Sequence, residues 1–402
     1  MKIKVLRIKK DLVYALVLTT LVMYIPFVYN SFLYGILRYV LFVLMGILVY
    51  LSFSLEFILA HSLTRKTLIA LAVVYLEYVV AMAFKLRFRL EQDVLPFAIV
   101  LLMIMVGGRV RFREGEFLKL CTVYCIGTLV LGVAAILTYL GGFSLAVNAN
   151  DITGKNQIGA IVAVGGGIAF YLSQLWLSRR RTLFYLALAA AILVILVVVR
   201  CRTALVGYLL FAGIIALQRW PRKIRRRVVA AALVVYVLFF NTINGLVVDS
   251  LLKSTDLEDD DLALNGELID QLSTNRHERN VQGVHFLMEK PFEGALVQYS
   301  GIKLIHNYVL LRLVRYGIIM GFPYVWIYFV YVVFCFRRVA RKRFSVYDMG
   351  PYLLIIPLFC SLLEPSAPFG PGTVEMMPYL ICGFAYQKNI VTEGTDDENE
   401  SN

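Results

Sequence analysis

The residues best suited to chemistry in this 402-residue chain are Arg200 and Arg202, which interrupt an apolar stretch, Arg276 in a long polar segment, and His306 at the start of the next helix. A charged arginine near the centre of a membrane helix costs about 2.5 to 3.5 kcal/mol on insertion scales. Such an arginine therefore needs a partner, an aqueous cavity, or a path to the lipid headgroups. Imidazole is the side chain best suited to accept a proton near neutral pH, and a general base contributes roughly 10² to 10⁴ in rate. We expect any chemistry of the chain in the polar segment 249–305 and at its flanks.

The polar segment 249–305 is longer than a connector between membrane helices needs to be. Good N-cap residues at 273–274 and a Lys-Pro stop at 290–291 predict a helix over Arg276–Glu289, with a solvated helix that has no site as the alternative. The positions predicted to share one face are Arg276, Arg279 and Gly283. The positions expected to pack toward the membrane helices are Val281, Val284 and Met288.

The other chemical motifs favour structural roles. The acidic run 256–261 lacks the spacing and the glycine of a calcium loop, so a solvated loop is expected rather than a cation site. The three glycines at 165–167 lie inside an apolar run and predict close helix packing. Five of the six cysteines lie in apolar runs, which indicates neither disulfides nor a metal framework. No P-loop, dinucleotide or metalloprotease motif is present, and we expect no metal and no other cofactor.

The composition determines which elements position these residues. With 60% hydrophobic residues, 17% charged residues and a mean hydropathy of +0.74, the chain is far more apolar than a soluble domain. An all-α polytopic membrane protein with about twelve spans is predicted, and its first apolar run is expected to remain as a helix rather than to be cleaved as a signal peptide. The predicted spans are 11–29, 38–60, 67–84, 94–108, 119–140, 157–177, 183–199, 203–218, 228–247, 314–336, 350–363 and 374–387.

The distribution of lysine and arginine predicts the orientation, because these residues are retained on the cytoplasmic side. With the N-terminus inside, the inner segments hold 26 of the 40 lysines and arginines, whereas segment 249–305 has eleven acidic against five basic residues. The net charge of +13 then reflects topology and attraction to the inner leaflet, not nucleic-acid binding. Residues Lys85, Arg87 and Arg89 oppose this arrangement, although Glu91 and Asp93 partly balance them.

This orientation divides the chain into four parts. The predicted parts are 1–248 with about nine membrane spans, 249–305 as one long extracytoplasmic loop with a short helix, 306–387 with the C-terminal membrane helices, and 388–402 as a disordered, acidic cytoplasmic tail. The same orientation predicts that four polar segments lie at the outer face: 148–159, 200–203, 249–305 and 364–372. A transferase built from them would face the periplasm or the cell exterior, so its donor would have to be carried across the membrane on a lipid.

The ordered motifs resemble the O-antigen ligase and Wzy polymerase superfamily of bacterial polysaccharide assembly. The matching segments, from about residue 140 to 335, are GKNQIGA at 154–160, RCRTALVG at 200–207, STNR at 273–276, KPFEGA at 290–295 and HNYVLLRLVRYGIIMG at 306–321. The chain departs from the family pattern at Cys201, where serine is usual, at Asn275, where glycine is usual, and at Arg315, where an acidic residue is frequent. The last departure bears on acceptor contacts more than on the core chemistry.

The resemblance implies a GT-C-like, metal-independent, inverting glycosyltransferase in the bacterial cytoplasmic membrane, acting on undecaprenyl-diphosphate-linked oligosaccharides. A diphosphate leaving group needs charge compensation, which preorganised arginines can supply. The implied catalytic residues are His306 as general base and Arg202 and Arg276 as charge compensators. The implied substrate-binding residues are Arg200, Arg279, Lys155, Asn156 and Asn307, of which Asn307 either orients His306 or caps its helix. Implied partners, besides membrane lipids, are a flippase and a chain-length regulator.

Three activities remain open at the level of the sequence. A polymerase that joins lipid-linked repeat units is favoured over a ligase that transfers the glycan to lipid A core, because segment 249–305 has no basic patch for a phosphorylated core. A flippase for the same lipid-linked sugars would carry ionisable residues along its helices and show repeat symmetry. Here the polar residues gather at one face and no internal repeat is seen.

Overall fold

The structure is a computed structural model that describes residues 2–84, 90–139, 155–175, 178–199, 201–224, 226–227, 230, 276–294, 305–364 and 376–387. Within these ranges every regular element is a helix, and no strand occurs. The α-helices are α1 Lys2–Met23, α2 Pro26–Tyr29, α3 Phe32–Ser52, α4 Leu55–Ala60, α5 Ser62–Ala83, α6 Leu90–Asp93, α7 Leu95–Arg109, α8 Glu114–Tyr139, α9 Lys155–Ser173, α10 Arg179–Val198, α11 Arg202–Arg219, α12 Arg276–Glu289, α13 Tyr308–Ala340, α14 Met349–Leu353, α15 Ile355–Cys360 and α16 Met376–Phe384, with a 3₁₀ turn at Val346–Asp348.

Six of the described helices are long and apolar enough to cross a membrane: α3, α5, α8, α9, α10 and α13. This confirms the prediction of an all-helical polytopic membrane protein. Four predicted spans are divided: 11–29 is interrupted before Pro26, 38–60 at residues 53–54, where Ser54 caps α4, 314–336 at Gly317 and 350–363 at Leu354. The predicted span 228–247 lies outside the described residues, apart from residue 230.

Helix α9 forms the centre of the bundle. In its most apolar 18-residue window 89% of the residues are buried, against 17% for peripheral α3. Its three glycines confirm the predicted close packing: a Cβ at Gly165, Gly166 or Gly167 would overlap side chains of α8, α10 and α15, namely Thr128, Ile192 and Ile356. Helices α8, α10 and α11 all pack on α9, so the two ends of α9 define the two ends of the bundle.

Side-chain contacts show which connecting segments lie at each of these two ends. At the end where α9 begins, Asn156 donates to Glu364. At the other end, roughly 25 Å along the helix axis, Gln174 accepts hydrogen bonds from Arg219 and Trp220. Segments predicted to share a side of the membrane therefore meet at a common end of the bundle.

Helix α12 has the predicted bounds, but its predicted packing face is wrong. Val281, Val284 and Met288 are 39%, 44% and 75% exposed. The face that carries Gly283 packs on the bundle instead, where an added Cβ would lie 2.6 Å from the Ile305 side chain. The absence of a side chain at Gly283 lets α12 approach residue 305, which directly precedes His306.

Helix α13 is broken at Gly317, which has φ 74° and ψ 175°, a conformation that essentially only glycine adopts. The break frees the Ile318 amide, which donates to Pro291 O at 2.7 Å in the turn after α12. A Cβ at Gly317 would overlap Phe292 O, and one at Gly294 would overlap the Gly317 backbone. This contact joins the turn 291–294 to α13 through backbone alone.

We expect Gly317→Ala to lower stability by about 1 to 3 kcal/mol from the backbone conformation, with a further loss from the overlap with Phe292 O. Thermal unfolding of the detergent-solubilised protein, followed by size-exclusion chromatography, measures this effect. The matched control is Gly46→Ala in α3, where an added Cβ meets nothing within 4 Å and alanine favours the helix. Equal midpoints for Gly317→Ala and the wild type would contradict the role of the turn.

Candidate active site

The candidate site begins where α9 and α11 start side by side. Asn156 Nδ2 donates to Glu364 Oε1 at 3.1 Å, and the Cys201 thiol lies 3.9 Å from Asn156 Oδ1. A space of about 20 Å³ between them is lined by Gln157, Ala160, Thr203, Ala204 and Cys360 as well as these three residues. A cavity of this size holds about one water molecule.

His306 lies between Arg279 and Glu364. Arg279 Nη1 is 3.3 Å from His306 Nε2, and His306 Nδ1 is 3.8 Å from Glu364 Oε2. A guanidinium can only donate, so Nε2 is the accepting nitrogen and the ring proton lies on Nδ1, toward the carboxylate. The His306 and Glu364 side chains are only 16% and 11% exposed. The carboxylate therefore lies on the Nδ1 side of the ring, beyond hydrogen-bond distance, and Nε2 is the nitrogen that could accept a proton.

The backbone around His306 is held by the segment that carries Glu364. Tyr308 N donates to Ser361 O at 2.8 Å, and Asn307 Nδ2 donates to Leu362 O at 3.2 Å. Asn307 Oδ1 accepts from Leu310 N at 3.0 Å, so Asn307 caps α13, which was one of its two predicted roles. These bonds hold the backbone that follows His306 against the backbone that precedes Glu364.

A second group of charges is buried directly behind this helix start. Arg312 Nη1 is 2.9 Å from Asp93 Oδ1, Arg315 Nη2 is 3.7 Å from Asp93 Oδ2, and the Tyr316 hydroxyl donates to Asp93. The Arg312 guanidinium lies 4.9 Å from the centre of the Tyr324 ring. Arg315, the departure from the resembled family, therefore has a carboxylate partner in this chain.

The predicted site residues belong to different helices and connecting segments. Asn156 and His306 contact Glu364, Arg279 contacts His306, and Asn307 contacts the backbone at Leu362. Arg202 is the first residue of α11, between Cys201 and Thr203, which both line the small cavity. Arg276 and Lys155 are the first residues of α12 and α9, and their side chains lie outside the described part of the chain. The whole of Arg200 lies outside it as well.

Sequence reasoning missed Glu364 and the pairing of Asp93. Segment 364–372 was predicted to join the site, but its first residue was not singled out. The available signal was an acid placed directly after the apolar run 350–363 and before Pro365. Asp93 was counted only as a loop charge, and its partner lies 219 positions away.

Among the described residues no group of three or more His, Cys, Asp or Glu side chains could hold a metal ion. The acidic run 256–261 lies outside those residues.

The helices and the buried charges define the class of protein: a polytopic α-helical membrane protein with a histidine-centred polar site at one end of its bundle. No protein-family model matches the chain, and no curated protein matches its sequence.

Proposed function

We propose that this protein is a metal-independent, inverting glycosyltransferase that polymerises undecaprenyl-diphosphate-linked oligosaccharide repeat units into O-antigen, capsule or exopolysaccharide. In this proposal about twelve spans form a GT-C-like bundle in the bacterial cytoplasmic membrane, and the site faces the periplasm or cell exterior. The observation that carries the proposal is the array Arg279, His306 and Glu364, which joins a base to a guanidinium and an orienting carboxylate. The motif order of the sequence supports it.

The proposed reaction begins at His306 Nε2. Nε2, which faces the Arg279 guanidinium, is the nitrogen that takes the proton of the acceptor hydroxyl, and the Glu364 carboxylate lies on the Nδ1 side of the ring. The hydroxyl oxygen then bonds to the anomeric carbon of the donor sugar from the face opposite the diphosphate. The bond between that carbon and the diphosphate oxygen breaks, and undecaprenyl diphosphate leaves with the electron pair. The Glu364 carboxylate compensates the charge that the ring gains.

Arg279 has two binding states in this mechanism. Without substrate it donates to Nε2 and occupies the position that the acceptor hydroxyl needs. A diphosphate is a stronger acceptor for a guanidinium than a neutral imidazole is, so donor binding would draw Arg279 away and free Nε2. The base would then become available only when the donor is present. Arg202 and Arg276 would supply the remaining charge compensation for the leaving diphosphate.

The direct test is polymerisation in a chelator. Purified protein in liposomes with a lipid-linked repeat unit should yield a ladder of products at the same rate with and without EDTA, because arginines replace the metal ion as charge compensators. Glycan electrophoresis measures the ladder, and His306→Ala provides the background. Loss of turnover in EDTA that magnesium or manganese restores would contradict the metal-independent mechanism and assign a ligand role to residues 256–261.

The same assay separates the alternative activities. Transfer of the glycan to added lipid A core, without a ladder, would identify a ligase instead. Movement of unreacted donor between leaflets, without any new glycosidic bond, would identify a flippase.

A further inference from the structure

A second cavity lies at the opposite end of α13 from His306. It has a volume of about 430 Å³ and is enclosed by the start of α5 and the last turns of α13. The chain reverses at Gly317, because the Tyr308 and Tyr328 ring centroids lie 6.0 Å apart, so the cavity begins beyond Tyr328 and extends to about 20 Å along α13 from the level of His306. The volume is within the range of small-ligand sites in proteins.

Four permanently cationic side chains line this cavity: Lys66, Arg337, Arg338 and Arg341. In the described part of the chain none of them forms an ion pair with a carboxylate. Arginines at the end of α13 are expected from the helix dipole and from the lysine and arginine distribution. The same distribution places Lys66 on this side of the membrane, and the structure adds that Lys66, from a different helix, shares one cavity with the arginines. Like charges gathered in this way repel, and an anion placed among them would reverse the repulsion.

The wall between the two helices is formed by His61 and Tyr386. His61 Nδ1 is 2.8 Å from Phe57 O, and the His61 ring packs 4.1 Å from the Tyr386 ring, measured between centroids. His61 does not cap α5 with its side chain, so the amides of the first turn of α5 remain available beside Ser62 and Lys66. These amides add donors to the cations on the same side of the cavity.

The remaining wall of the cavity is apolar and continues onto the outside of the bundle. Val330, Val333 and Phe334 of α13 line it, and Val333 is 44% exposed. Next to them Phe329 and Phe336 are 53% and 71% exposed on the same helix, which by length and composition can cross a membrane. A ligand with an anionic head and an apolar tail matches this surface, whereas a free phosphate would use only the cationic part.

We propose that this cavity binds the phosphate headgroup of an anionic glycerophospholipid, with its acyl chains along Val330, Val333 and the exposed face of α13. Lys66 and the three arginines contact the phosphate, and the arginines can do so with two parallel hydrogen bonds each. The site is independent of the glycosyltransferase activity proposed above.

The test compares lipids with and without net charge. Protein in phosphatidylcholine nanodiscs is titrated with phosphatidylglycerol, and retained lipids are counted by native mass spectrometry. Lys66→Gln with Arg338→Gln should weaken phosphatidylglycerol binding about 25-fold, roughly five-fold for each cation removed. The matched control is Arg65→Gln with Arg343→Gln, which removes the same charge from exposed residues of the same segments that do not line the cavity. Binding by the control should equal that of the wild type.

Three outcomes would overturn the proposal. Equal losses in the two double variants would mean that general surface charge, not the cavity, attracts the lipid. Displacement of the lipid by soluble glycerol phosphate at similar concentration would assign the site to a free phosphate. Stronger lipid binding by a chain ended at residue 392 would assign the cavity to the acidic residues 393–402, which follow Tyr386 closely in sequence. Thermal unfolding of every variant in phosphatidylcholine alone confirms that each is folded.

Discussion

Replacement of His306 by alanine should reduce polymer formation about 10²- to 10⁴-fold while the lipid-linked donor still binds. A general base acts on the acceptor hydroxyl in the transition state, so its removal lowers the turnover number far more than donor affinity. In cells the variant should insert normally and accumulate single repeat units in place of a polymer ladder. Glycan electrophoresis of whole cells and donor binding to the purified protein measure the two effects separately.

The control for this variant is His285→Ala. His285 lies on α12, as Arg279 does, but its side chain is exposed. It should support wild-type ladders, which separates the loss of the base from a general effect of removing an imidazole. Wild-type ladders from His306→Ala itself would remove the catalytic assignment. Loss of single units from the outer leaflet would favour the flippase instead.

Glu364→Gln should lower turnover about 10²-fold or more and change donor affinity little. Glutamine keeps the size of the side chain and can still contact Asn156, but it removes the negative charge beside His306 Nδ1. Its amide can also donate to that nitrogen, which would place the ring proton on Nε2 and block the base. Steady-state kinetics with a soluble donor analogue, measured across pH, give turnover and the pH profile together.

The pH profile distinguishes positioning from simple structural damage. If the Glu364 carboxylate stabilises the protonated base, the acidic limb of the wild-type profile, where the base becomes protonated, should move to lower pH in Glu364→Gln, whereas Glu364→Asp should recover part of the turnover. The exposed Glu289→Gln on α12 removes the same charge and should leave both quantities unchanged. An unchanged profile with reduced turnover would mean that Glu364 only supports the fold around residue 361.

Local sequence patterns predicted the features that depend on residues close together in the chain. The helix Arg276–Glu289 follows from its caps and stop signal, the packing role of Gly165–Gly167 from small residues in an apolar run, and the cap at Asn307 from its side chain. The break of α13 at Gly317 was not predicted, because its cause is a backbone contact with the turn at 291–294, which no periodicity records. The apolar face of α12 was misassigned because apolar residues at helical spacing do not show whether that face packs on the bundle or stays exposed.

The site itself was predicted in part. The segments that meet were predicted from charge alternation, and Asn156 and His306 do contact one carboxylate, with Arg279 against His306. Which acid they contact could not be predicted, because Glu364 is 208 positions from Asn156 and its partners are determined only by the three-dimensional fold. Buried pairs at such separations leave no local signal other than an isolated charge beside apolar residues.

The fully buried Asp93 has a consequence for biogenesis of the protein in the membrane. Its partner Arg312 is 219 residues further along the chain, and Arg315 follows shortly after. At a synthesis rate of about 5 to 20 residues per second, the ribosome reaches these arginines about 10 to 40 seconds after it has made Asp93. During that interval the early helices carry a carboxylate with neither arginine to pair with, so it must stay in contact with water or another polar group. The N-terminal half therefore cannot complete its packing until α13, which begins directly after the segment of the proposed general base His306, has entered the bilayer.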